Sequence, residues 1–182
     1  MNSYSTSDPG DRELRRLQLT KRLVGHEART QTIVWLTGYS RHRLATLRRR
    51  WRVSTASRHR GPSPSSFSMF FRSPIARGEA ATASAIYQIY TRRAGAGVES
   101  VRRDFTGMDL GERLCEAFEA FHACFPNADL EFDHLALLAL GFGESQSVTL
   151  ANCTRCKCAI LIDRLGIHRR ICPVCQRQAR DG

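Results

Sequence analysis

The chain has 182 residues, of which 42% are hydrophobic and 25% are charged. This predicts a globular protein with one compact core and a small appendage, and it excludes a large multidomain enzyme and a disordered chain. The net charge of +11 is uneven, at +10 over residues 1–60, −6 over residues 111–150 and +5 over residues 151–182. A polyanionic partner such as nucleic acid is therefore expected, with a basic surface that serves only solubility as the alternative.

The first predicted helix covers Asp11–Glu27, with Asp11 and Glu13 in the first turn, where the helix dipole favours negative charge. Its apolar residues lie on more than one face of the helix; they are Leu14, Leu17, Leu19, Leu23 and Val24. A helix of this kind is buried on two sides. We expect part of that burial to come from a partner.

Two shorter helices are predicted next, over Thr30–Leu36 and Ser40–Trp51, and together they have the pattern of a helix-turn-helix. Gly38 in the intervening turn can take a positive φ, and Ser40 caps the second helix. Ile33, Val34, Leu44, Leu47 and Trp51 supply the apolar contacts. The candidate DNA-binding residues lie outward on the second helix and its cap: Ser40, Arg41, His42, Arg43, Thr46, Arg49 and Arg50. The alternative is an amphipathic hairpin whose arginine face is only solvated.

A change of composition follows over Ser54–Pro74, which is rich in Ser, Pro, Arg and Gly. We interpret it as a linker that ends by docking the aromatic residues Phe67, Phe70 and Phe71 on a core. The predicted domain organisation is an N-terminal helical region at 1–53, a linker at 54–78, a helical core at 79–143 and a zinc ribbon at 144–182.

Four helices are predicted in the middle of the chain, over Glu79–Arg93, Val98–Asp104, Asp109–Phe125 and Leu130–Leu140. The third is the clearest, because an apolar stripe recurs at helical spacing through Leu114, Phe118, Phe121 and Phe125. A stripe of this kind is a core face rather than a cofactor site. Short β-like runs at Val148–Leu150 and Ala159–Ile162 follow the last helix.

The longest apolar run, Leu135–Phe142, is too short for a membrane span of about 20 residues, and the polar residues 1–10 lack a secretory signal. We therefore expect a cytoplasmic protein, in which cysteines are metal ligands or free thiols rather than disulfides. Two further cysteines, Cys115 and Cys124, lie on roughly opposite sides of the third helix and are expected to be separate buried thiols.

The strongest motif is a pair of CxxC sequences with 15 residues between them, formed by Cys153, Cys156, Cys172 and Cys175. Four thiolates at this spacing predict one closed, structural Zn²⁺ site per chain, and the intervening residues 158–171 are long enough for a hairpin. A thioredoxin-like redox pair and an iron–sulfur cluster are the alternatives.

Two neighbouring residues could also serve as ligands of the metal. Cys158 could replace Cys156, but it is expected to point to the other side of a short strand. His168 is interpreted as an ordinary surface histidine.

In this order, the features resemble the FlhC family, the zinc-containing subunits of the bacterial flagellar master transcriptional activator. The resemblance runs from about Leu23 to Cys175 through the segment 36–50, the Pro/Ser linker into 67–71, the helical middle and the four cysteines. It implies a subunit that joins an FlhD-type subunit in a hetero-oligomer, binds promoter DNA and recruits RNA polymerase to flagellar genes. The linker before Phe67 is shorter than in the family, as in a diverged or second-copy member.

The leading hypothesis is a mainly α DNA-binding activator subunit in which a helical domain with a helix-turn-helix-like hairpin precedes a small C-terminal four-cysteine zinc ribbon. Arginines of residues 41–60 would contact phosphates, and the second hairpin helix would contact bases. The alternative is a zinc-ribbon protein that binds RNA or a ribosomal surface without recognising sequence. An enzyme is not expected, because the sequence has no paired carboxylates, activated nucleophile, phosphate loop or open metal site.

Overall fold

A computed structural model describes residues 8–53, 62–93, 107–143, 147–164 and 170–179. This part of the chain is mainly helical and ends in a small sheet and a cluster of four cysteines, so the expected fold class is confirmed. The described helices are α1 (Pro9–Gly25), α2 (Thr30–Thr37), α3 (Arg41–Arg50), a 3-10 helix (Phe67–Phe71), α4 (Pro74–Arg93), α5 (Gly107–Cys124), α6 (Phe132–Gly143) and α7 (Pro173–Gln178). The strands are β1 (Val148–Asn152) and β2 (Ala159–Asp163).

Most helix bounds agree with the predicted ones within two or three residues, but α4 starts five residues before Glu79. The hydroxyl of Ser73 accepts a hydrogen bond of 3.0 Å from the Ala76 N–H, and Pro74 occupies the first helical position. Both are favourable at a helix start, so they extend the helix into the predicted linker. The predicted helix at Val98–Asp104 lies outside the described residues.

The acidic helix α5 is covered by the basic helix α1. Arg15 of α1 donates hydrogen bonds to Asp109 and Glu112, and Arg22 donates to Glu119. Beside these pairs, α1 buries Leu19 and Leu23 in the main core; both are no more than 1% exposed. Part of the surface of the acidic helix is therefore covered within the chain.

The aromatic residues of the 3-10 helix dock on the core, as the sequence predicts. Phe70 is buried, and Phe67 and Phe71 are partly buried against the same core. The helix α6 passes so close to this helix that a Cβ at Gly141 would lie 2.5 Å from the Phe67 ring and 2.8 Å from Val148. A residue without a side chain is therefore required where α6, the 3-10 helix and β1 meet.

The two strands form an antiparallel hairpin whose faces contact different parts of the molecule. Val148 pairs with Asp163 and Asn152 with Ala159. Val148 and Leu161 pack into the main helical core, whereas Ile160 packs against the buried cysteines. Because successive strand residues point to opposite faces, this sheet lies between the helices and the cysteine cluster.

The position of this hairpin differs from the one for which the sequence left room. Residues 158–171, between the two CxxC pairs, are long enough for a hairpin of their own. In the structure, β2 pairs backward with β1 across the first CxxC pair, so the turn of the hairpin carries Cys153 and Cys156. None of the described helices is both long and apolar enough to cross a membrane.

A buried carboxylate ties α6 to the start of α2. Asp133 is 3% exposed and accepts hydrogen bonds from the Arg29 N–H at 2.9 Å and from the Thr32 hydroxyl. Arg29 is the N-cap residue of α2, and its own side chain makes no capping hydrogen bond. Asp133 therefore caps a helix that lies about a hundred residues earlier in the sequence.

We predict that Asp133→Ala lowers the free energy of unfolding by about 3 kcal/mol, because it leaves the Arg29 N–H and the buried Thr32 hydroxyl at the start of α2 without their acceptor. Urea unfolding followed by circular dichroism measures this change. Asp129→Ala, at an exposed aspartate just before α6, is the matched control and is expected to stay within about 0.5 kcal/mol of the parent. Equal stability of the two variants would contradict the capping role.

Candidate metal centre and nucleic-acid interface

The four cysteines of the two CxxC pairs converge in the structure. Cys153 and Cys156 lie in the turn between β1 and β2, Cys172 is the N-cap of α7, and Cys175 lies in its first turn. All four sulfur atoms lie within 4.8 Å of one another, and the Cys156 and Cys172 sulfurs are 3.6 Å apart. A tetrahedral ion with metal–sulfur bonds of about 2.3 Å separates its ligands by about 3.8 Å. The donor set therefore fits one metal ion with little movement.

Backbone hydrogen bonds hold the first pair in a tight turn. The Cys153 N–H donates to the Cys158 carbonyl at 2.8 Å, and the Lys157 N–H donates to the Cys153 carbonyl at 3.0 Å. Lys157 has a φ of 62°, a left-handed conformation that is uncommon for a residue with a side chain. The Thr154 N–H donates to the Arg170 carbonyl at 2.9 Å, which joins this turn to the segment that precedes the second pair.

The thiol pKa values show why this cluster suits a cation. Backbone N–H groups of Cys156 and Cys172 directed at the Cys153 sulfur lower the pKa of that thiol to about 6. By contrast, hydrogen bonds to the Cys156 and Cys172 side chains raise the pKa of Cys175 to about 12. One sulfur is therefore ready to ionise, while the complete set resists four negative charges until a cation neutralises them.

Cys158 lies beside the cluster rather than on the far side of a strand, which corrects the expectation for this residue. Its sulfur is 3.3 Å from the Cys156 sulfur, although the side chain is exposed. The left-handed Lys157 causes this, because it turns the chain back toward the first pair before β2 begins. The other candidate ligand, His168, lies outside the described residues.

Of the two cysteines on α5, only one is buried. Cys115 is fully enclosed, and burial raises the pKa of its thiol to about 12. Cys124 is exposed at the end of the helix, so the expectation of a second buried thiol is wrong. The sequence pattern placed Cys124 on a helix face correctly but could not show that α5 extends beyond the core at this end.

The predicted hairpin of α2 and α3 is present with the expected turn. Gly38 ends α2 in the left-handed region, with a φ of 69°, and the Ser40 hydroxyl accepts a hydrogen bond from the Arg43 N–H at 3.1 Å. Leu44 and Leu47 are buried, as predicted, and Trp51 is half-buried. The apolar base of the hairpin therefore follows the sequence pattern.

The candidate DNA-binding side chains lie mainly on the solvent face of α3. Thr46 is half-buried, and six others are exposed: Ser40, Arg41, His42, Arg43, Arg49 and Arg50. Arg41 donates a hydrogen bond of 2.8 Å to Gln31, and Arg43 lies 3.9 Å from Glu13. These two contacts orient arginine side chains along the start of α3. The structure thus brings the predicted residues together as one basic face.

Two structural residues of the hairpin were missed by the sequence reasoning. Arg48 is buried and donates hydrogen bonds to the Thr30 hydroxyl at 2.8 Å and to the Ala28 carbonyl at 3.4 Å. Tyr39 donates a hydrogen bond of 2.7 Å to Glu13 on α1, and burial together with this bond raises its pKa to about 12. Both residues fix α3 in place, so not every arginine of the basic run is available to a ligand.

No protein-family model matches the chain, and no curated protein matches it.

We predict that the purified protein binds about one divalent metal ion per chain and that Cys153→Ser and Cys172→Ser lose it, because each removes one of four ligands. Inductively coupled plasma mass spectrometry of the dialysed proteins measures the content. Cys124→Ser is the matched control, and Cys158→Ser tests the fifth thiol; both are expected to keep one ion. Full metal content in Cys172→Ser would refute the four-cysteine site.

Proposed function

We propose that the chain is the DNA-binding subunit of a bacterial transcriptional activator of the FlhC type, which controls flagellar and motility genes. The observation that carries the proposal is the α2–α3 hairpin, in which one short helix presents a row of exposed cationic side chains above a buried apolar base. The order of sequence motifs supplies the comparison with this activator family.

The size and chemistry of α3 suit the major groove of DNA. Its ten residues give a length of about 15 Å, and the groove is about 12 Å wide. In this proposal, Arg41 and Arg43 at its N-terminal end contact base edges, and Arg49 and Arg50 at the other end contact phosphates. The acids Asp109, Glu112 and Glu119 on α5 are paired with arginines of α1. They are therefore partly neutralised when the chain approaches a polyanion.

The metal in this proposal is one Zn²⁺ per chain, held by Cys153, Cys156, Cys172 and Cys175. A thiolate set favours Zn²⁺ over the harder cations Mg²⁺ and Ca²⁺. Bound there, the ion would supply cross-linking between the hairpin turn and α7, while the four sulfurs complete its coordination and leave no position for a substrate. The site is accordingly structural and the protein is not an enzyme, and its reduced thiols fit a cytoplasmic location.

The proposed protein partners are an FlhD-type subunit and RNA polymerase. The first helix supplies an apolar surface for the subunit, because Leu14 is 55% exposed and Leu17 is only half-buried. An exposed leucine on a helix whose other face is already packed is favourable for a second contact. In such a hetero-oligomer, several basic hairpins would be held on one assembly and would bind promoter DNA with higher avidity.

We predict that the double variant Arg41→Ala, Arg43→Ala weakens binding to a promoter duplex by about tenfold or more, since each arginine that contacts a base or phosphate contributes about 1–3 kcal/mol. Fluorescence anisotropy over a range of salt concentrations measures this, and the salt dependence should become shallower. The matched control is Arg12→Ala, Arg72→Ala, which removes the same charge from exposed positions outside the hairpin.

Unchanged DNA binding by the double arginine variant would favour the alternative function, a zinc ribbon that binds RNA. Exposed cations also surround the cysteine cluster, at Arg155, Lys157, Arg170 and Arg177. If the hairpin variant binds DNA like the parent, while structured RNA competes with DNA at equal concentration, the zinc-ribbon RNA-binding hypothesis replaces the activator.

We predict that co-expression with an FlhD-type subunit shifts the chain into a stable hetero-oligomer on size-exclusion chromatography, and that Leu14→Glu abolishes the shift because it places a charge in an apolar contact. Ile89→Glu, at a similarly exposed apolar residue on α4, is expected to leave the complex intact. A monomer that binds promoter DNA equally well with and without the subunit would sink the partner hypothesis.

A further inference from the structure

A groove of about 550 Å³ lies next to the cysteine cluster. The first half of α4 forms one side of it, and the start of β2 and α7 form the other. Ala81, Ala85 and Ile160 are among its lining residues, and they make its interior aliphatic. Ile75 on α4 and Val174 on α7 line it as well. The volume lies within the range of about 300–1,000 Å³ that is typical of sites for compact ligands.

Two of the apolar side chains that line this groove are unusually exposed. Ile75 is 72% exposed and Val174 is 55% exposed. Isolated exposed aliphatic residues are ordinary, but here two of them, from elements about a hundred residues apart, line one concave surface. An apolar ligand in the groove would remove both from water.

The charges that line the groove are all of one sign. Arg77 and Arg177 line it, and no acidic residue of the described chain does so. Arg77 donates a hydrogen bond of 3.0 Å from Nε to the Leu161 carbonyl, and its guanidinium lies 5.8 Å from the centre of the Phe71 ring. Its Nη2 is enclosed and has no hydrogen-bond partner in the described part of the chain. A carboxylate that enters the groove would give this guanidinium an acceptor to which it can turn.

We propose that this groove binds a segment of another protein that presents a bulky apolar side chain next to carboxylates. The aliphatic lining accommodates the apolar side chain of that segment, and the charges of Arg77 and Arg177 complement its carboxylates. A nucleic-acid strand fits less well, because no aromatic residue of the described chain lines the groove to stack a base. The inference does not depend on the proposed DNA binding, since the groove is lined by elements other than α2 and α3.

The probe is the peptide Asp-Asp-Leu-Phe-Asp-Leu-Leu-Asp-amide with fluorescein on its N-terminal amine, and its comparison is the same N-terminally labelled peptide with lysine at every acidic position. Anisotropy titrations of the full chain are expected to show the acidic peptide binding about tenfold more tightly or better. Ile75→Asp and Val174→Asp should each weaken its binding by about tenfold or more. Arg177→Ala should weaken binding of the acidic peptide by about threefold, since an ion pair between Arg177 and a peptide carboxylate would lie at the solvent-exposed rim of the groove.

The first control variant is Ile89→Asp, at an exposed apolar residue of α4 that lies outside the groove. The second is Arg72→Ala, at an exposed arginine that directly precedes the first lining residue, Ser73. Both should bind the peptide within about twofold of the parent. Circular dichroism of every variant establishes that its fold is retained, and Ile75→Ala and Val174→Ala replace any aspartate variant that unfolds.

Three outcomes would overturn the proposal. The first is no binding of the acidic peptide, or equal binding of the two peptides. The second is unchanged binding in the groove variants, which would place the peptide elsewhere. The third is a dimer of the parent that Ile75→Asp dissociates in light-scattering measurements, which would make a second copy of the chain the occupant of the groove.

Discussion

The position of the basic hairpin depends on one buried carboxylate. Asp133 satisfies the first turn of α2 from another helix, and the same carboxylate lies 3.7 Å from the Arg29 guanidinium. A buried negative charge is tolerated only where hydrogen bonds and an opposite charge surround it, and here the start of α2 supplies both. Because α3 is carried by α2 through the tight turn at Gly38, the direction of the basic face is set by a contact with α6 rather than by the hairpin alone.

Charge complementarity between α1 and α5 explains how a chain of net charge +11 forms a compact helical domain. The arginines of α1 that face α5 are paired with its acids, while four arginines of α3 face solvent: Arg41, Arg43, Arg49 and Arg50. Exposed pairs of this kind contribute only about 0–1 kcal/mol each to stability. Their larger effect is on specificity, since α1 presents its apolar residues Leu19 and Leu23 to the core only in the orientation that also pairs Arg15 and Arg22.

Local patterns were sufficient to predict the described helices of eight residues or more, the turn between α2 and α3, and the cluster of four cysteines. The stripe through Leu114 and Phe121 marks a buried helix face, and two CxxC pairs mark four converging sulfurs, because each pattern follows from short-range backbone geometry. The features that were missed depend on contacts between distant segments or on one unusual dihedral angle. Asp133 reaches Arg29 across about a hundred residues, and Cys158 returns to the cluster only because Lys157 adopts a positive φ. Neither has a signature in the nearby sequence.

The side chains of the β1–β2 hairpin point alternately to its two faces, and this couples the cysteine cluster to the rest of the molecule. Leu161 is anchored in the helical core and Ile160, its neighbour in β2, is anchored against the cysteines. Arg77 strengthens this connection, because it donates from α4 to the backbone of β2 at Leu161. The cysteine cluster is therefore not an independent module on a flexible linker. Disruption of the cysteine cluster would release the outer face of β2 first, and through Leu161 it would loosen the packing of α4, which also forms one wall of the aliphatic groove.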